Sequence, residues 1–176
     1  MSLFVVDVEA DGPCPGLYSM VSFGVVRVQE DLEKTPTFFG QTAPITENWI
    51  PEALAVSDIT REEHLKYVSP GVEMSRFNGW LKENSVGKPM FISDNPAFDW
   101  QWINYYMHCY CGSNPFGFSA RRIGDFYSGL ERNWFAASKW KSMRKTAHTH
   151  NPVDDARGNA EALIAIAKKY KIKLPL

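Results

Sequence analysis

The stretch SLFVVDVEADG, residues 2–12, constrains this chain more than any other. Leu3 to Val8 reads as a strand buried on both faces, because its apolar residues do not alternate with polar ones. The run then meets Asp7, Glu9 and Asp11. Side chains alternate along a strand, so Asp7 and Glu9 point to the same side. Two carboxylates a few ångströms apart repel unless a proton or a cation lies between them. At the end of a buried strand, water does little to relieve that repulsion. A hard divalent cation does, and Mg²⁺ and Mn²⁺ prefer oxygen ligands. The D-x-E pair by itself is better read as turn and edge residues pointing into solvent, since such pairs are common by chance.

With 176 residues, the chain has about one domain's worth of sequence, and its apolar fraction suits a globular core rather than disorder. No apolar run is long enough to span a bilayer and no charged-then-apolar leader stands at the start, so a cytoplasmic protein with no membrane association is expected. Cys14, Cys109 and Cys111 make an odd count, with one C-x-C and no second pair to complete a zinc site; reduced thiols are expected. The net charge of −1 gives no global attraction to nucleic acid. Locally, Arg132 to Val153 contains no Asp or Glu but holds Arg132, Lys139, Lys141, Arg144 and Lys145. That segment reads either as a solvated surface or as a patch facing phosphates.

Strands are expected at Leu3–Val8, Tyr18–Val28, Thr37–Gln41, Pro89–Ile92 and Arg121–Phe126, with the first two forming an antiparallel hairpin around the Gly12–Gly16 turn. Residues 44–70 read as loops and short helices. Helical spacing predicts helices over Pro70–Glu83, Pro96–Cys109 and Asn151–Tyr170. Strands first, then strands alternating with helices, predict an α/β fold with a mixed sheet flanked by helices.

Two further carboxylates stand at helix mouths. In NPAFD, Asn95 suits an N-cap, Pro96 the first helical position, and Asp99 the first turn. In HNPVDD, Asn151 repeats the cap, Pro152 follows, Asp154 suits the capping partner, and Asp155 lies one turn in. His150 stands just outside that helix. Acids favour helix N-termini through the macrodipole, so capping alone also accounts for these residues.

Taken together, FVVDVEADG, NPAFD and HNPVDDARGNAEAL resemble the three motifs of the DEDDh 3′–5′ exonucleases, the DnaQ-like group of the ribonuclease H-like superfamily. The segment from Ile50 to Leu81, with Ser57-Asp58-Ile59-Thr60 in its turn, is similar to the family's linker. The resemblance spans roughly residues 3–168. It implies a ribonuclease H-like five-stranded mixed sheet, one exonuclease domain over residues 1–176, and two divalent ions, Mg²⁺ or Mn²⁺, held by Asp7, Glu9, Asp99 and Asp155. It implies His150 as general base and nucleoside 5′-monophosphates released from 3′ ends of nucleic acid. By the same resemblance Glu9, Ala10 and Phe98 would hold the last nucleotide, and Lys139, Lys141, Arg144 and Lys145 would guide the backbone.

Phe98 fits core packing as well as base stacking. Pro152 stands where the family usually has a small residue, and Ser22 where it often has an acid. RNA is the favoured substrate, since ribonuclease T and oligoribonuclease are among the small members resembled; a DNA-trimming or proofreading enzyme is the alternative. A catalytically silent binding module would be expected to lack motif residues, and all five are present. A homodimer is expected by analogy, with aromatics around residues 98–116 suiting an interface.

Overall fold

The computed structural model describes residues 1–176. Five strands form one sheet in the order β3-β2-β1-β4-β5. They are β1 (Ser2–Ala10), β2 (Met20–Arg27), β3 (Thr37–Gln41), β4 (Pro89–Ser93) and β5 (Ala120–Arg122). The β1–β2 and β2–β3 pairs are antiparallel; β1–β4 and β4–β5 are parallel. This is the expected mixed α/β sheet, with β1 at its centre. Six α-helices accompany it: α1 (Pro51–Val56), α2 (Arg61–His64), α3 (Pro70–Glu83), α4 (Pro96–Cys111), α5 (Ile123–Glu131) and α6 (Pro152–Lys169).

The alternation of β1 divides the core in two. Phe4, Val6, Val8 and Ala10 face α3 and α4 through Phe77, Leu81, Trp102 and Tyr106. Leu3 and Val5 face α5 and α6 through Ile123, Ala156, Ala160 and Ile166. Small residues on α6, Ala156, Ala160 and Ala162 among them, let it lie close to the sheet. No helix is long and apolar enough to cross a membrane.

The expected strand over Arg121–Phe126 is corrected. Only Ala120–Arg122 pairs with β4, and α5 begins at Ile123. Ile123 and Tyr127, four residues apart, both bury into the α6 side of the core, so helical spacing prevails. All three cysteines are free.

Candidate active site

Asp7 and Glu9 extend the Leu3–Val5 face of β1, the face covered by α6. Glu9 pairs across the sheet with Ser22, and the register slips between Glu9 and Ala10. Asp7 pairs with Gly24. A Cβ on Gly24 would stand 2.2 Å from the Pro152 carbonyl, so the bare glycine admits the first turn of α6 against β2. That approach carries Asp155 to the end of β1. The Asn151 side chain caps α6, accepting from the N–H groups of Val153 and Asp154. Asp154 does not close the expected box; it takes the Thr149 hydroxyl at 3.4 Å.

Asp155 is buried, and accepts the backbone N–H groups of Thr149 and His150, each at 3.0 Å. These bonds hold the turn before α6, where His150 takes a left-handed φ of 60°. Oxygens of Asp7, Glu9 and Asp155 lie within 4.8 Å of one another. His150 Nδ1 stands 3.6 Å from Glu9 Oε1.

Asp99 enters from the opposite face, in the first turn of α4. The pairing of β4 with β1 ends at Val5–Ile92, which leaves the edge of β1 beyond it open. The Val8 N–H there donates to Asp99 Oδ1 at 3.2 Å. Asn95 occupies the N-cap position of α4 without a side-chain cap bond.

Burial pushes the Asp7 carboxyl well above the usual carboxylate range, and the charges of Asp99, Asp155 and Glu9 add to it. Burial, then Asp155 and Asp99, raises Glu9 to about 7. Burial also raises Asp99 to about 7, against the hydrogen bonds it accepts. Four carboxylates from β1, α4 and α6 thus crowd one strand end with too little positive charge among them. Their all-oxygen donor set fits a hard divalent cation.

The basic residues fall differently. Arg144 has a side chain only 11% exposed, bonds the Asn159 amide oxygen, and stacks over Trp140 at 5.1 Å. It turns inward behind Asp7 rather than out to solvent. Lys141 pairs with Asp94 at 2.5 Å. Lys139 and Lys145 are exposed. Phe98 is half-buried, 6.0 Å edge-to-face from Trp102, and Ala10 is buried in the sheet.

His148 is an addition that motif reading does not single out. Its Nδ1 lies 2.8 Å from Asp155 Oδ1, and its ring contacts that of His150 at 4.4 Å. His148, His150 and Asp155 form a second set of atoms close enough for a metal. The H-x-H spacing was the available signal.

A mixed sheet whose first strand ends in carboxylates joined by others from two flanking helices defines a ribonuclease H-like nuclease. No family model matches the sequence. The chain is 36% identical over 173 residues to the 3′–5′ DNA exonuclease Cap18 of Escherichia coli, covering 93% of this chain and 90% of that one. Among solved structures it resembles cell-death related nuclease 4, with TM-score 0.74 and 15% identity over 96% of this chain. It also resembles E. coli exonuclease I in complex with a dT13 oligonucleotide, with TM-score 0.72 and 14% identity over 97% of this chain. The chain spans 64% and 41% of those two structures' lengths. It belongs to the DEDDh 3′–5′ exonucleases, the DnaQ-like group, and is a metal-dependent hydrolase of that class.

Proposed function

We propose that this protein removes nucleotides one at a time from single-stranded 3′ ends, with DNA as the first substrate. The convergence of Asp7, Glu9 and Asp155 within 4.8 Å, with His150 beside Glu9, carries this reading. Asp7, Glu9, Asp99 and Asp155 hold two divalent ions, Mg²⁺ or Mn²⁺. Bound there, the ions supply charge stabilisation for the attacking and leaving oxygens of the displacement.

His150 is the general base. Its left-handed backbone and the N–H bond to Asp155 set the ring beside the acidic cluster, 3.6 Å from Glu9, and the ring is half-exposed. An imidazole nitrogen without a proton can take the water's proton as the bond to phosphorus forms. The water attacks the terminal phosphodiester, its proton passes to His150, the P–O3′ bond breaks, the O3′ stays on the shortened strand and takes a proton from solvent, and a nucleoside 5′-monophosphate leaves. Glu9, Ala10 and Phe98 border the place for the last nucleotide.

DNA is placed first because the relative at 36% identity is named a DNA exonuclease. RNA, which the motifs favour, has its own support: a 3′-exonuclease of similar fold recognises the 3′ end of a histone mRNA stem-loop. The two core clusters pack on opposite faces of a single sheet, which supports one exonuclease domain over residues 1–176. Three free cysteines are in keeping with a reducing cytoplasm. Tyr105 and Tyr110, partly exposed on α4, suit a homodimer face.

The deciding experiment incubates 5′-labelled single-stranded DNA and RNA oligomers with Mg²⁺ or Mn²⁺. A ladder shrinking from the 3′ end, lost in Asp7→Ala and in His150→Ala, is expected. Unchanged cleavage in both variants would remove the assigned roles, and the ratio of the DNA and RNA rates decides the substrate.

A further inference from the structure

Beyond the acidic cluster, a single 3-10 turn, Trp134–Ala136, carries two adjacent aromatic rings, Trp134 and Phe135, that are 85% and 86% exposed. The turn that carries them is firmly built. Arg132 reverses the chain after α5 with φ 52°, and the Phe135 N–H donates to the Asn133 side chain at 3.0 Å. Ala136 buries in the core and the Ser128 hydroxyl donates to the Trp134 carbonyl at 3.4 Å. Two large rings are therefore held out in water by an anchored turn, at a standing cost in apolar exposure.

Between this turn and α5 runs a groove lined by Arg122, Ser128, Arg132, Asn133 and Trp134. One end of it is Arg122, which bonds Asp94, and the Asp94 charge acts on Asp99 of the acidic cluster. A Cβ on Gly124 would stand 2.6 Å from the Ala137 carbonyl, so the returning segment lies directly on the first turn of α5. There Arg122 donates to the Asp94 carbonyl at 3.0 Å, and the Asp94 carboxylate takes Lys141. Asp94 follows β4, five residues before Asp99.

Of the charged residues lining the groove, Asp125 pairs with Arg122 at 3.2 Å and Arg132 stands exposed. Lys139, also exposed, lies further along the returning segment.

We propose that this groove holds the nucleotides lying upstream of the 3′ end of a single-stranded substrate, with bases stacked on Trp134 and Phe135 and phosphates met by Arg132, Lys139 and Arg122. The inference rests on the exonuclease reading. Aromatic platforms beside cations are how proteins hold unpaired strands, and a duplex buries the base faces that such platforms need. The ten steps from Arg122 to Arg132 rise about 15 Å at the helical spacing. That is the length of about four nucleotides at a stacked rise of ~3.4 Å. Oligomers of three nucleotides would thus fall short of the rings, and a 15-mer would reach them.

The test compares kcat/KM for single-stranded 3-mers and 15-mers in the wild type and in the double variant Trp134→Ala, Phe135→Ala. The wild type is expected to prefer the 15-mer. The variant should lose roughly tenfold or more on the 15-mer, chiefly in KM, so that the length ratio moves toward one. Arg132→Glu should raise KM for the 15-mer and flatten its salt dependence.

Anisotropy of a fluorescent 15-mer in EDTA reads the groove without turnover, and at least tenfold weaker binding by the double variant is expected. That measurement still decides the matter if no oligomer is cleaved, a result that would count against the exonuclease reading alone. Equal binding by a folded double variant overturns the proposal. So does unchanged binding with a shift from dimer to monomer, which would assign the rings to a second copy of the chain.

Discussion

Two carboxylate clusters grow from the end of the same strand, and they have opposite characters. Asp11, two residues beyond Glu9, is fully buried and satisfied: it accepts the Ser19 N–H at 2.6 Å and Arg61 Nη1 at 2.8 Å. His64 stands 3.7 Å away, its other ring nitrogen 3.0 Å from the Thr42 carbonyl. Burial pushes Asp11 up and His64 down, and each partially restores the charged form of the other. Asp7 and Glu9 are not matched in this way: Asp99 and Asp155 crowd them, and the Arg144 charge at Asp7 does not outweigh burial and repulsion. One cluster carries its counter-charge in the chain and ties α2 to the sheet. The other must take most of it from solution. Identical residue types thus become a brace or a metal site according to what folds against them.

The contrast is sharpest in substitution. Asp7→Ala should lower kcat by about 10³-fold or more, on the scale of removing a preorganised transition-state stabiliser. It should also abolish the rise in Tm that Mn²⁺ gives the wild type through binding to the folded state. In EDTA, Asp7→Asn should raise Tm, since one of several crowded charges is gone. A Tm lowered in EDTA would mean the cluster is balanced without metal.

Asp11→Ala should do the reverse. It strands Arg61 beside a buried histidine and should cost about 3–5 kcal/mol of stability in urea unfolding, while Mn²⁺ still raises Tm. A loss under 1 kcal/mol would erase the distinction between the two clusters.

The acidic cluster should also leave a signature in pH. Glu9 and Asp99 are raised to about 7 in the folded protein, against about 4 when unfolded. Between those values the folded state binds more protons, so metal-free stability is fully present below about pH 4 and is lost as pH rises through about 7. The loss should be several kcal/mol. Saturating Mn²⁺ should flatten the profile, because it replaces the protons. Denaturant midpoints in EDTA across pH 4.5–8 check this, and a midpoint that climbs over that range would contradict the crowding.

Gly24→Ala tests the link between sheet and helix. The added methyl meets the α6 backbone and should cost about 1–3 kcal/mol. It should weaken Mn²⁺ binding as Asp155 is displaced, although Gly24 bears no ligand. Asn151→Ala, which removes only the cap, should cost about 1 kcal/mol.

Much of the architecture was readable from local pattern. Apolar continuity places β1, and Pro at the first helical position places the starts of α4 and α6. Alternation puts Asp7 and Glu9 on one face, and the resemblance assembled the four acids and His150. Local reading went astray at α5, where a short apolar segment after β5 admits either period and the α6 side of the core selected the helix. The contacts of Arg144 with Asn159 and Trp140 were not legible in the local pattern, because both partners come from elsewhere in the fold.

The chain's order of residues determined which segments become strands and helices, and that carboxylates stand at three of their ends, because those properties depend on neighbours a few positions apart. Tertiary structure decided that Asp11 meets Arg61 fifty residues away while Asp7 meets Asp155 across α6. It also decided that Gly24 and Pro152 touch, and that His148 joins the cluster. Counter-charge and close approach are properties of surfaces brought together from distant parts of the chain, so only the folded packing settles which buried acid is satisfied and which still needs a cation.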